Sequence, residues 1–222
     1  MAHKTIFRTV VFALFFAAVV SANAQQAEFL REIQQIDTDG GSRCPLVTPR
    51  FEFGISAAIG SNFHHYTAGA VNGKPTTSFG FGLMPQVIFR RMGDAGSFAV
   101  RPEVHYERVR AQHPNGEIAT NNITVPLSLV GQVRIACFGI DGFLGGYYSH
   151  RFSGTQGGYA LDFTNLFYRN EIGLTWGFGV FLYPFRLGYT NRRALTNFTQ
   201  QPNDDRAHIR NRANYFTLTF MF

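Results

Sequence analysis

Past its first two dozen residues, the chain lacks any apolar run of helix-spanning length. A transmembrane helix needs about 20 mainly apolar residues, so a helical inner-membrane topology is excluded. Cysteine is scarce, with two residues in 222. Excess charge is modest: the formal net charge is +6, and Lys4 and Arg8 account for two of those positive charges within the first two dozen residues. That balance does not argue for a nucleic-acid partner. No Gly-rich phosphate loop, nucleophile elbow or metal-ligand spacing occurs, so no catalytic residue, metal or cofactor is expected. The length suits one barrel or sandwich, or two small domains.

What is present begins with a leader. Residues 1–24 carry a short basic start with Lys4 and Arg8, an apolar run from Val10 to Val20, and small residues ending Ala22-Asn23-Ala24. This is the pattern of a cleaved secretory signal peptide. Gln25, not Cys, follows the expected cut, which argues against a lipoprotein anchor. Residues 25–49 form a periplasmic N-terminal segment in which Phe29, Leu30, Ile33 and Ile36 have helical spacing. Either a short amphipathic helix or a poorly ordered tail fits them.

The remainder, 50–222, alternates. The 24 Phe, 9 Tyr and 23 Gly are dispersed rather than clustered. The end is the clearest case: Phe216, Leu218, Phe220 and Phe222 share one parity, and Tyr215, Thr217, Thr219 and Met221 the other. A period of two with a large apolar face fits a strand between lipid and a polar lumen. Seven further segments repeat it, at about 50–60, 78–91, 98–110, 123–134, 137–151, 168–180 and 184–193. Connections 61–77, 111–122, 152–167 and 194–213 are long and polar, whereas those between are a few residues each. Long loops on one rim and tight turns on the other predict an eight-stranded antiparallel up-and-down transmembrane barrel with both termini at the periplasmic rim. Pro85, Pro102 and Pro126 fall inside these strands and mark bulges or misplaced boundaries. A soluble sandwich or lipocalin-like carrier is the rival fold.

The run Asn170-Glu-Ile-Gly-Leu-Thr-Trp-Gly-Phe-Gly179, then Phe185-Arg-Leu-Gly-Tyr189, Leu195-Thr-Asn-Phe198 and the aromatic end resemble the PorT-like outer-membrane β-barrel family. The resemblance covers about residues 50–222 and implies a small eight-stranded barrel. The C-terminal segment is similar to the signal read by outer-membrane insertion machinery, with Thr217 where a glycine is usual. The family's name-giving protein supports protein secretion, so a secretion or assembly complex partner is one implied role. That role does not carry over residue by residue.

If the apolar parity faces lipid, the other faces the lumen. It holds Glu52, Glu103, Glu107, Asp141 and Glu171 with Arg90, Arg101, Arg134, Arg169, Arg186 and His105. The interior of eight strands is just wide enough for side chains, so paired charges there predict a hydrogen-bonded plug rather than an ion path. Glu103, His105 and Glu107 are spaced about 7 Å per step along one face, too far apart for one metal without other strands. Cys44 and Cys137 both fall at the periplasmic rim, where a disulfide or two free thiols are open. His64, His65, His113, His150 and His208 map to the outer rim. So do Arg151, Arg192, Arg193, Arg206, Arg210 and Arg212, either as solvated loop residues or as surface contacts to the phosphates of outer-membrane lipids and lipopolysaccharide. Ser149 and His150, as strand neighbours, point to opposite faces and form no nucleophile–base pair. The expected product is a non-enzymatic integral outer-membrane protein of a Gram-negative-type bacterium. Its expected function is structural or surface-binding. A secretion-complex component, a lipid-modifying enzyme and a soluble carrier are the alternatives.

Overall fold

A computed structural model describes residues 50–66, 74–92, 95–113, 116–135, 137–199 and 209–222. The leader, the 25–49 segment with Cys44, and Arg206 and His208 lie outside them. Eight barrel strands follow in order: β1 (Phe51–Tyr66), β2 (Thr76–Met92), β3 in two pieces (Gly96–Pro102 and Val104–His113), β4 (Gly116–Ile135), β5 (Phe138–Gln156), β6 (Asn170–Leu182), β7 (Phe185–Ala194) and β8 (Ile209–Met221). Each pairs antiparallel with its sequence neighbours. β8 closes on β1, from Gly54 opposite Met221 to Tyr66 opposite Ile209. The all-β ring expected from the alternation is therefore what forms, and closure leaves no long edge unpaired. The β6–β7 turn carries a cis Tyr183–Pro184 peptide bond.

The burial pattern is that of a globular protein turned inside out. Leu129, Leu187 and Phe216 are 64%, 63% and 66% exposed, while Arg101 is 0%. The side chains expected to face lipid on all eight strands point outward, and the interior holds charged and polar side chains interleaved with small apolar clusters such as Ile88, Val130 and Phe143. In water such a surface would be a large aggregation hazard. In a bilayer it is the favourable arrangement.

Two details differ from the sequence expectation, the strand ends and the end of β2, and the prolines mark an irregularity as expected. The connection expected at 111–122 is mostly strand: β3 runs to His113 and β4 begins at Gly116. β1 and β5 likewise run past their expected ends. Backbone ladders continue where composition turns polar, because hydrogen bonding does not require apolar side chains. The prolines have one cause. β3 breaks at Glu103, beside Pro102, and the β2–β3 ladder lapses around Pro85, between the pairs Val87–Val100 and Leu83–Val104. The Glu103 amide donates instead to the Pro126 carbonyl at 2.9 Å. All three prolines thus flank one irregularity, where their missing donors are tolerated. Lastly, a register shift between Ile88 and Arg90 turns the end of β2 outward.

Candidate functional site: the charged lumen and the outer rim

The interior is a stack of ion-pair clusters. At the floor, Arg134 binds Glu52, and Gln86 donates to Glu52 Oε2 at 2.7 Å and to Gln132 Oε1 at 2.9 Å. Mid-barrel, Arg186 grips Asp141 with both a 2.6 Å and a 2.7 Å bond, and Arg101 approaches the same carboxylate at 3.4 Å. Arg101 also lies 3.6 Å from Glu103, whose other oxygen meets His105 Nε2 at 2.6 Å. Above these, Arg192 pairs with Glu107, which accepts from Thr124 Oγ1 at 2.9 Å. Arg151 pairs with Glu171, which also accepts from Tyr147 at 2.7 Å and from Asn211.

Five acids (Glu52, Glu103, Glu107, Asp141, Glu171) thus face five arginines (Arg101, Arg134, Arg151, Arg186, Arg192). The charges cancel, which is the condition for holding them away from water. Each guanidinium also lies over an aromatic face: Arg134 over Phe181 at 4.1 Å, Arg101 and Arg186 over Phe143, Arg151 over Phe198 and Arg192 over Tyr215. The space left is small. A cavity of about 20 Å³ between Glu107, Ser149, Glu171 and Arg192 has room for roughly one water. At the outer mouth Ile118, Leu161, Phe163, Phe198 and Ile209 pack into an apolar cap.

Small residues make the arginine clasp possible. A Cβ on Gly179 would stand 2.5 Å from the Arg186 guanidinium, and one on Gly188 equally close. Gly179 and Gly188 therefore supply volume for a buried charge.

Several expected positions are corrected. Arg151 and Arg192, placed on the surface by sequence, are 1% and 7% exposed lumen groups. Arg169, expected in the lumen, precedes β6, is exposed, and stacks over Phe163 at 5.0 Å. Arg90 faces outward because of the register shift in β2. His64 does lie at the outer end of β1 but points inward, buried against Phe198 with ring centroids 4.9 Å apart. His65 and His150 are half-exposed, and the side chain of His113 lies outside the described residues. Arg193, Arg210 and Arg212 do face outward. Ser149 is buried beside Thr124 at 2.9 Å, while His150 binds Asn170 on the outer face at 2.8 Å. Cys137 stands in the inner β4–β5 turn, but its expected partner Cys44 lies outside the described residues.

No family model and no curated protein matches the chain. Solved structures do. The outer membrane enzyme PagL superposes with a TM-score of 0.50 at 12% identity, over 75% of this chain and 98% of PagL. Neisserial surface protein A superposes with 0.48 at 11% identity, over 77% and 97%. OprG of Pseudomonas aeruginosa gives 0.41 at 12%, over 80% and 98%. The fold is that of a small outer-membrane β-barrel. At such identities the likeness concerns the fold, and fold does not assign activity.

Proposed function

We propose that the chain is an integral outer-membrane β-barrel with a plugged lumen and a structural or surface-binding, non-enzymatic role. The supporting observation is the inversion itself: large exposed apolar side chains girdle the barrel, while neutralised ion pairs fill it. On this proposal the chain is exported by its 1–24 leader, inserted by outer-membrane assembly machinery, and held among outer-membrane lipids and lipopolysaccharide. A periplasmic or secretion-complex partner, as the PorT-like resemblance implies, would meet the inner turns or the 25–49 segment. A Cys44–Cys137 disulfide would hold that segment beneath the floor. Thiol titration of denatured, unreduced protein should find none reactive; two reactive thiols exclude the bridge.

A plug of this kind passes neither bulk water nor solutes. In planar bilayers the protein should give no large, stable openings. Porin-like single-channel conductance would contradict the plugged lumen. Lipid A of altered structure on deletion of the gene would contradict the non-enzymatic role.

A further inference from the structure

The outward face at the upper end of β1, β7 and β8 carries three arginines with a histidine beside them. Arg212 on β8 stands directly opposite Arg193 on β7, and Arg210 stands opposite His65 on β1. All four side chains are exposed or half-exposed on the outside of the ring. Residues in direct cross-strand register have Cβ atoms about 5 Å apart, and like charges there repel. Among the described residues, the neighbouring outward positions of β1, β6, β7 and β8 hold no acid. Arg193 is also fixed in place, its guanidinium 5.0 Å above the ring of Trp176.

Height decides what such a pair meets. Going down the outer face of β8, the residues are Arg210, Arg212, Asn214, Phe216, Leu218, Phe220 and Phe222. Tyr189 donates to Asn214 at 3.1 Å and stacks against Phe216 at 5.4 Å, marking the junction of amide and aromatic layers. Ten residues from Phe222 to Arg212 span roughly 26 Å along the membrane normal at a strand tilt of about 40°. The apolar band of such barrels is about 25 Å tall. The guanidiniums therefore sit at the head-group level, just above the hydrocarbon, at the rim away from the tight turns.

We infer that Arg193 and Arg212, flanked by Arg210 and His65, form a site for the phosphate monoester of a phosphorylated glycolipid in the outer leaflet. Two guanidinium forks side by side match the oxygens of one phosphate, and its charge removes their repulsion. Trp176 and Tyr189 would lie against the first methylenes of the acyl chains. The site rests on the membrane-spanning proposal above.

The test uses the full barrel in dodecyl maltoside micelles. Its affinities for diphosphorylated lipid A and for enzymatically dephosphorylated lipid A are compared by native mass spectrometry. The phosphorylated form should bind at least tenfold more tightly. The R193Q/R212Q variant should reduce that ratio to within twofold while keeping the heat-dependent gel shift of a folded barrel. Equal binding of the two lipids, or a ratio unchanged in the variant, overturns the site. So does full competition by millimolar inorganic phosphate, which would make it a free-phosphate site. Phosphate preference seen only in D204N/D205N protein would also overturn it, since the chain's own acids would then neutralise the pair. Failure of the membrane-spanning proposal would show separately, as loss of the gel shift in the unmodified chain.

Discussion

Replacing Asp141 by Asn should be the most damaging conservative change in the lumen. Its carboxylate is bound by both Arg186 bonds and approached by Arg101, with all three side chains at most 3% exposed. The substitution keeps the volume but leaves two buried guanidiniums with only Glu103 nearby, at 3.6 Å from Arg101. Removing one partner of a buried pair typically costs about 3–5 kcal/mol, since the remaining charge stays desolvated. With an unfolding slope of about 2 kcal/mol/M, the urea midpoint should fall by roughly 1.5–2.5 M. The folded fraction in micelles is read from unheated gel mobility and from Trp176, the single tryptophan. A further control sharpens the outcome. In D141N/R186Q one of the two stranded guanidiniums is gone, so the double variant should be more stable than D141N alone. A cost below about 1 kcal/mol for D141N, or strict additivity in the double variant, would mean that the lumen is hydrated and the plug is wrong.

Three other changes test separate parts of the structure. Gly179→Val places a side chain where the Arg186 guanidinium lies, 2.5 Å from the new Cβ. It should cost about 1–3 kcal/mol by overpacking, read as a lower urea midpoint; an unchanged midpoint would show that Arg186 is not held there. Leu218→Arg, in the middle of the outward face, should cost about 2–4 kcal/mol in lipid vesicles, against at most about 1 for Ser61→Arg near the rim. Equal costs would remove the lipid-facing assignment. In the outer loop, Asp162 accepts from the side chain of Asn165 at 2.9 Å and from the backbone of Thr164 and Asn165, and these bonds hold its carboxyl below the ordinary aspartate value. Its contribution to loop order is therefore present at neutral pH and lost as pH falls through the lowered folded-state value. An NMR titration placing Asp162 at or above the ordinary value would contradict the turn.

Much of this architecture is legible in the sequence. Period-two parity assigned the lipid and lumen faces, and it placed Glu52, Arg101, Glu103, His105, Glu107, Asp141, Glu171 and Arg186 inside. The parity signal also existed for Arg151 and Arg192, which share the register of Asp141 and Arg186. Both lie inside the segments 137–151 and 184–193, but at their outer ends, where position at the rim outweighs parity in a sequence reading. Arg90 shows the opposite failure: a one-residue register shift reverses parity, and no residue type announces it. The cap of Leu161, Phe163 and Phe198 comes from loops without periodicity, so nothing in the sequence placed it over the lumen. The cross-strand pairing of Arg193 with Arg212 needed the register of β7 on β8, which a hydrophobic pattern does not supply.

The central claim is that the girdle of exposed Phe, Leu and Ile faces lipid. Gel mobility of the detergent-extracted membrane fraction, with and without heating, tests it most directly. The protein should appear only in the detergent extract and migrate differently before and after heating, as a closed barrel that resists dodecyl sulfate until boiled. Protein that leaves the membranes in plain buffer and shows no heat-dependent shift would contradict the claim.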